Sequence, residues 1–208
     1  MTEDEAKGAI AAHVSRETLE RLETYVRTLL RWQPKLNLVA NATIPTVWSR
    51  HVLDSIQLLE AAPKSVTLWL DLGSGGGFPG LPCAICAPDY GINAQFQLVE
   101  SDTRKCAFLR EAARLSDTKI TLHNTRIEAL EPVGAAVISA RALAPLPHLL
   151  DLAHPHLGPD GICLLQKGAT HALELETARA DWQMDVDVLP SMTATDSVIL
   201  RVRNLSHA

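Results

Sequence analysis

The segment Asp71-Leu-Gly-Ser-Gly-Gly-Gly-Phe-Pro-Gly80 packs five glycines into the eight residues from Gly73 to Gly80. Glycine reaches positive φ and lets a ligand approach the backbone with no Cβ in the way. Exposed loop amides, and the N-terminus of a helix that follows them, favour a polar or negatively charged ligand group. A tight turn needs fewer glycines, so the loop reads as a binding loop. Gly75-x-Gly77-x-x-Gly80 satisfies the dinucleotide pattern, and Glu100 stands where an acid would meet a ribose. Asp71 points the other way. At the end of a strand, inside the crevice, its carboxylate suits a cationic amino group and would repel a pyrophosphate. Two more charges end apolar runs: Arg141 in Ser139-Ala-Arg141-Ala and Lys167 in Lys167-Gly168. Both are binding candidates, because α/β sites are built at the carboxyl ends of strands.

Other constellations are weaker. Arg50 and Asp54, and His51 and Ser55, lie one helical turn apart, which by itself is a polar helix face with an ion pair of about 0.3–0.5 kcal/mol. A hydrolase would need a nucleophile elbow, and no G-x-S-x-G occurs. Cys83-x-x-Cys86 has neither a thioredoxin-like context nor two further ligands nearby, so these thiols read as small hydrophobes. His148, His154 and His156 have no ligand partners at metal spacing, and no metal is expected.

These residues need elements to hold them. Val66–Leu72, Phe96–Glu100, Ile120–Leu122, Ala136–Ser139 and Ile162–Gln166 are short apolar runs separated by mostly helical patterns, which implies βαβ units and a parallel sheet. Asp185–Leu189 and Ser197–Val202 leave no room for a crossover helix and read as an antiparallel hairpin at the sheet edge. Residues 102–117 form the clearest helix. Ahead of the sheet, residues 1–14 read as a frayed start, Ser15 caps a helix that Pro34 ends, and a second helix runs from about Pro45 to Ala62. The expected division is a helical extension over 1–63 and an α/β domain over 64–208. The chain has 208 residues and a formal charge of −5. That is ample for a core without disulfides, and not the charge of a protein that coats nucleic acid. An acidic start, four scattered cysteines and no long apolar run lead to the expectation of a cytoplasmic protein with no membrane partner.

Together the residues resemble the bacterial small-subunit ribosomal RNA guanine-N7 methyltransferases, the glucose-inhibited division protein B family. The resemblance spans about residues 20–205. It is carried by Trp32, Asn37-Leu38, Arg50-His51-Val-Leu-Asp54-Ser55, the loop from Asp71 to Pro82, Val99-Glu100, Lys105, Phe108-Leu109, Arg126-Ile127-Glu128, Ser139-Ala-Arg141-Ala and Lys167-Gly168. It implies a Rossmann-like class I fold: a mostly parallel seven-stranded sheet with helices on both faces and an N-terminal helical extension. The implied cofactor is S-adenosyl-L-methionine (SAM), with S-adenosyl-L-homocysteine as product. Its contacts would fall on Asp71, Gly73, Gly75, Gly77, Phe78, Glu100, Ile127, Glu128 and Arg141. The implied substrate is a specific guanine of 16S ribosomal RNA, met by Asn37, Arg50, His51, Asp54, Ser55 and Lys167. Arg141 and Lys167 would position rather than perform chemistry, and a monomer is expected.

Guanine N7 carries an in-plane lone pair and needs no general base, so catalysis reduces to in-line positioning and exclusion of water. An arginine pressed on N7 would oppose the reaction, since methylation leaves positive charge on the ring. Arg141 is therefore expected to hold ligand through other atoms. RNA contact should rest on Arg27, Arg31, Lys35, Arg50 and Lys167, with a ribosomal particle or precursor as the true partner. Methylation of a small molecule or protein, an NAD-dependent oxidoreductase and a nucleotide-sensing module remain alternatives.

Overall fold

The computed structural model describes residues 1–208. Seven strands form one sheet in the order β3-β2-β1-β4-β5-β7-β6. They are β1 (Leu68–Leu72), β2 (Gln95–Val99), β3 (Thr121–His123), β4 (Ala135–Arg141), β5 (Leu157–Lys167), β6 (Trp182–Pro190) and β7 (Val198–His207). The pairs β1–β2, β1–β4, β2–β3 and β4–β5 are parallel, whereas β7 runs antiparallel between β5 and β6. The expected edge hairpin is therefore present, with its second strand inserted next to the parallel set. Chain order reverses between β1 and β4, and that switch point opens a crevice beyond the strand carboxyl ends.

Helices cover both faces: α1 (Glu3–Ala11), α2 (Arg16–Leu36), α3 (Asp54–Ile56), α4 (Leu58–Ala61), α5 (Gly80–Cys86), α6 (Thr103–Leu115), α7 (Leu146–Ala153) and α8 (His171–Ala178). Strand alternation divides the core. Trp69 of β1 belongs to a cluster of 35 buried residues shared with α1, α2, α5 and α6, while its neighbours Leu70 and Leu72 join a cluster of 18 with α7. Leu22, Tyr25, Leu29, Val52 and Ile56 of the N-terminal region lie in the same cluster as Val137 and Leu164 of the sheet. The extension is thus a layer of the main core.

The N-terminal region departs from its sequence pattern in three places. Residues 1–14 are not frayed. Thr2 and Glu5 form a reciprocal capping box, with Glu5 N donating to Thr2 Oγ1 at 3.2 Å and Thr2 N donating to Glu5 Oε2 at 2.7 Å. Pro34 does not end α2, which continues to Leu36 and closes on Asn37 in the left-handed region at φ 47°. A proline in the last turn forfeits one hydrogen bond there without breaking the helix. The expected second helix from Pro45 to Ala62 is broken into a 3₁₀ segment (Asn41–Thr46), a π-helical turn (Trp48–Leu53), α3 and α4. The reason is competition for its backbone. Glu3 of α1 takes the amides of Trp48 and Ser49, and the Arg141 guanidinium takes the Arg50 carbonyl. Such π turns widen a helix locally and recur at functional sites.

Candidate functional site

A cavity of ≈ 800 Å³ opens at the carboxyl edge of β1, β4 and β5. Its floor is the glycine loop (Gly73–Gly76 and Phe78) and its sides are Arg141–Pro145 after β4 and Gln166–Gly168 at the end of β5. The N-terminal region closes it with Leu38–Ala40, Thr43, Arg50, His51 and Asp54, and Lys105 of α6 stands on the rim. The five glycines divide their work. Gly73 and Gly75 turn the chain at φ 65° and 54°. A Cβ on Gly75 would meet nothing closer than the Gly73 carbonyl oxygen at 3.8 Å, an ordinary contact, so that residue is glycine for its positive φ and leaves the loop surface clear for a ligand. Gly76 instead admits a neighbour. A Cβ there would lie 3.0 Å from the Leu38 carbonyl oxygen, and the Gly76 carbonyl accepts a 2.5 Å hydrogen bond from buried Tyr25 of α2. Part of the glycine content thus serves the docking of the extension, a use that spacing alone does not reveal. Gly77 lies outside the cavity lining, against Tyr25.

Arg141 is the centre of the wall. Its Nη1 donates to the Arg50 carbonyl at 3.0 Å and lies 3.5 Å from Asp54 Oδ2, while Nη2 donates to His51 Nδ1 at 2.6 Å. Its guanidinium sits over the Phe78 ring at 4.9 Å, and the His51 ring lies 5.0 Å from that same ring. Burial, together with the neighbouring Arg141 and Arg50 charges, pushes the His51 pKa down to about 3. His51 is therefore a neutral acceptor toward Arg141. Asp54 is saturated. Gln57, Ser191 and Thr193 donate to its Oδ1, and Gln166 donates to its Oδ2 at 2.7 Å. It anchors the β6–β7 loop and β5 to the N-terminal region.

The remaining expected residues fall into two groups. Glu100 directly follows β2, with Oε2 accepting from Gly75 N at 2.9 Å and Oε1 from Asp102 N at 2.7 Å. It braces the glycine loop and keeps unused lone pairs. Buried Ile127 and exposed Glu128 form the turn after β3. These three lie on the strand carboxyl edge, outside the cavity lining. Asp71 is fully buried rather than exposed in the crevice. Ser139 donates to its Oδ1 at 2.6 Å and in turn accepts from Trp69 Nε1 at 2.9 Å. A Cβ on Gly80 would lie 2.7 Å from the carboxylate, so α5 starts directly on it. Desolvation raises the Asp71 pKa to about 6 against the hydrogen bonds that favour its ionised form.

Ser55 and Asn37 face away from the cavity. Ser55 is buried and donates to the His51 carbonyl at 2.6 Å, and exposed Asn37 is the cap of α2. Lys167 lines the cavity, but its ammonium donates to Glu174 Oε2 and to the Ala144 carbonyl, both at 2.8 Å. Glu174 also accepts from Leu146 N and Thr170 Oγ1. That pair ties the loop after β4 to α8. Three contributors escaped the sequence reading. Gln33 clamps the loop after α2 by donating to the Val39 carbonyl and accepting from the amides of Leu38 and Val39. Gln166 and Thr43 touch the Arg50–Asp54 turn. Gln166 precedes Lys167 at a strand end, and the same positional rule would have found it.

The family model described as rRNA small subunit methyltransferase G matches residues 18–201. A Cereibacter sphaeroides ribosomal RNA small subunit methyltransferase G is 48% identical over 209 residues, covering 100% of both chains. The Jannaschia sp. protein of the same name is 49% identical over 203 residues, 98% of this chain and 96% of its own. Among solved structures, a ribosomal protein L11 methylase from Lactobacillus delbrueckii subsp. bulgaricus superposes at a TM-score of 0.59 with 21% identity, covering 76% of this chain and 78% of that one. M. jannaschii TYW2 in complex with AdoMet superposes at 0.57 with 12% identity, covering 76% of each chain. The structural likeness supports the fold, and the full-length sequence match settles the family: this chain belongs to the rRNA small subunit methyltransferase G family.

Proposed function

We propose that this chain transfers a methyl group from SAM to N7 of a guanine in small-subunit ribosomal RNA. The observation that carries the reading is the cavity itself. A glycine loop with clear space above Gly75 meets a wall of fixed polar groups at the sheet switch point, in a chain of this family. The loop fits the donor, since Gly73 and Gly75 turn the chain at positive φ, no side chain of Gly75 covers the loop, and Glu100 keeps acceptor capacity beside it. When bound, SAM supplies an electrophilic sulfonium methyl, and the N7 lone pair attacks it without prior deprotonation.

The protein's task is then positioning and exclusion of water. No residue of the wall is poised as a base. His51 is neutral with its Nδ1 lone pair already directed at Arg141, and Asp54 is saturated. Arg141 retains its Nε–H and one Nη2–H beyond its contacts with Arg50 and His51, enough to hold a ligand oxygen. Arg50 and Lys105 flank the opening, and exposed Arg27, Arg31 and Lys35 extend the cationic groups along α2. They suit a phosphate backbone leading to a base turned out of its stack. Lys167, held by Glu174, contributes by fixing the loop after β4. Asp71 acts from beneath the glycine loop, setting its position, and Glu100 with Ile127 and Glu128 would meet the nucleoside half of the donor. Asn37 and Ser55 act through the chain they hold. The protein works as a monomer in the cytoplasm on an assembled or assembling small subunit, without a metal.

Incubation with methyl-labelled SAM tests this reading by comparing small subunits lacking native modification, naked 16S RNA and ribosomal protein alone. Label is expected in RNA and is expected to be greatest in the particle. Label confined to protein, or SAM binding without transfer to RNA, would overturn it.

A further inference from the structure

The Arg141–His51 contact continues outward, and its direction can be read atom by atom. An arginine only donates, so His51 Nδ1 accepts and carries no proton. A neutral imidazole then bears its hydrogen on Nε2. That atom lies 2.7 Å from Thr43 Oγ1, which therefore accepts, and the Thr43 hydroxyl hydrogen is directed to the Ala40 carbonyl at 2.7 Å. The relay Arg141 → His51 → Thr43 → Ala40 has one polarity throughout. Every hydrogen-bonding position of the imidazole is used, so His51 cannot rotate or change tautomer without losing a partner. Its start is on β4 and its end is in the loop between α2 and the π turn. Arg141, His51, Thr43 and Ala40 all line the same cavity.

We propose that Thr43 is a positioning residue of the methyl-transfer site, which acts through His51 to fix the plane of the Arg141 guanidinium toward the bound donor. The inference rests on the reading of the cavity as the SAM site. It follows from which partners are interchangeable. Phe78 below Arg141 constrains its height but not its rotation about the ring normal, and the Arg50 carbonyl at 3.0 Å and Asp54 Oδ2 at 3.5 Å both hold the same nitrogen, Nη1, leaving Nη2 to His51. His51 supplies the second anchor, and its own orientation depends on Thr43.

Titration of SAM into wild type, Thr43→Val and Thr43→Ser, with initial rates on under-modified small subunits, tests the proposal. Thr43→Val keeps the shape and removes the hydroxyl. The expected result is a rise of about tenfold in the Kd and KM for SAM, the size that loosened positioning produces, with the KM for the subunit unchanged. Thr43→Ser restores both, and the imidazole ¹⁵N–¹H spectrum of wild type shows a slowly exchanging His51 Nε2–H that Thr43→Val loses. A purely structural defect would instead lower the active fraction, reducing apparent kcat while leaving both KM values alone, and that result overturns the proposal. So do wild-type SAM constants in Thr43→Val, or a failure of Thr43→Ser to recover. If Thr43→Val does not fold, Thr43→Ala is read by the same criteria. Absence of SAM binding by wild type would instead refute the functional reading itself.

Discussion

Two titratable residues at the glycine loop carry opposite pH signatures. Asp71 has its pKa raised from 3.8 to about 6, so its neutral form favours the folded state. That contribution is full below pH 3.8 and is lost as pH rises through about 6. His51 has its pKa lowered from 6.5 to about 3, so its contribution is present above pH 6.5 and lost as pH falls toward 3. Asp71→Asn should therefore leave the His51 loss unopposed, so that between pH 7 and pH 4 the variant loses on the order of 2–3 kcal/mol more stability than wild type. Denaturant melts across that range check it, and a parallel curve for variant and wild type would contradict it. Since His51 stays neutral across the working range, kcat/KM should show no ionisation from it between about pH 6 and pH 8. A rate profile in His51→Asn that loses a limb present in wild type would contradict that assignment.

Lys167 and Glu174 matter as parts of an element contact. Their pair joins the end of β5, the loop after β4 and α8, and both side chains are largely buried, 8% and 20% exposed. Removing one partner of such a pair strands the other. Glu174→Ala should cost about 2–3 kcal/mol and lower Tm by roughly 5–10 °C. Calorimetry decides, and an unchanged Tm would show the pair to be inert. Arg50, by contrast, is exposed at the cavity mouth. Arg50→Ala should weaken subunit binding and reduce the slope of log K against log salt by about one, while Lys167→Met should leave the slope alone. At this scale the sequence is informative where periodicity and strand-end position apply. The parallel strands, the edge hairpin, the glycine loop and Arg141 follow from local pattern. The broken helix after Asn41 does not, because Glu3 and Arg141 reach its backbone from 45 and 91 residues away in sequence. Lys167 and Arg141 look alike as strand-end cations, and only their partners separate a buried tie from a group with free donors.

At the scale of the whole molecule, the N-terminal extension contributes side chains to both the core and the candidate site. The 35-residue cluster crosses residue 63, and His51, Asp54 and Tyr25 hold Arg141, the β6–β7 loop and Gly76 respectively. A chain starting at Lys64 should expose that face and fail to give a cooperative melt or SAM binding. A stable, SAM-binding 64–208 fragment would show the extension to be an accessory. The assembled site should leave a single chemical mark on its substrate. That mark is read by digesting 16S RNA from small subunits treated with this protein and SAM, and identifying the modified nucleoside and its position by mass spectrometry. The expected product is 7-methylguanosine at a single position. Methyl groups on another base or another guanine atom, or on ribosomal protein, would contradict it.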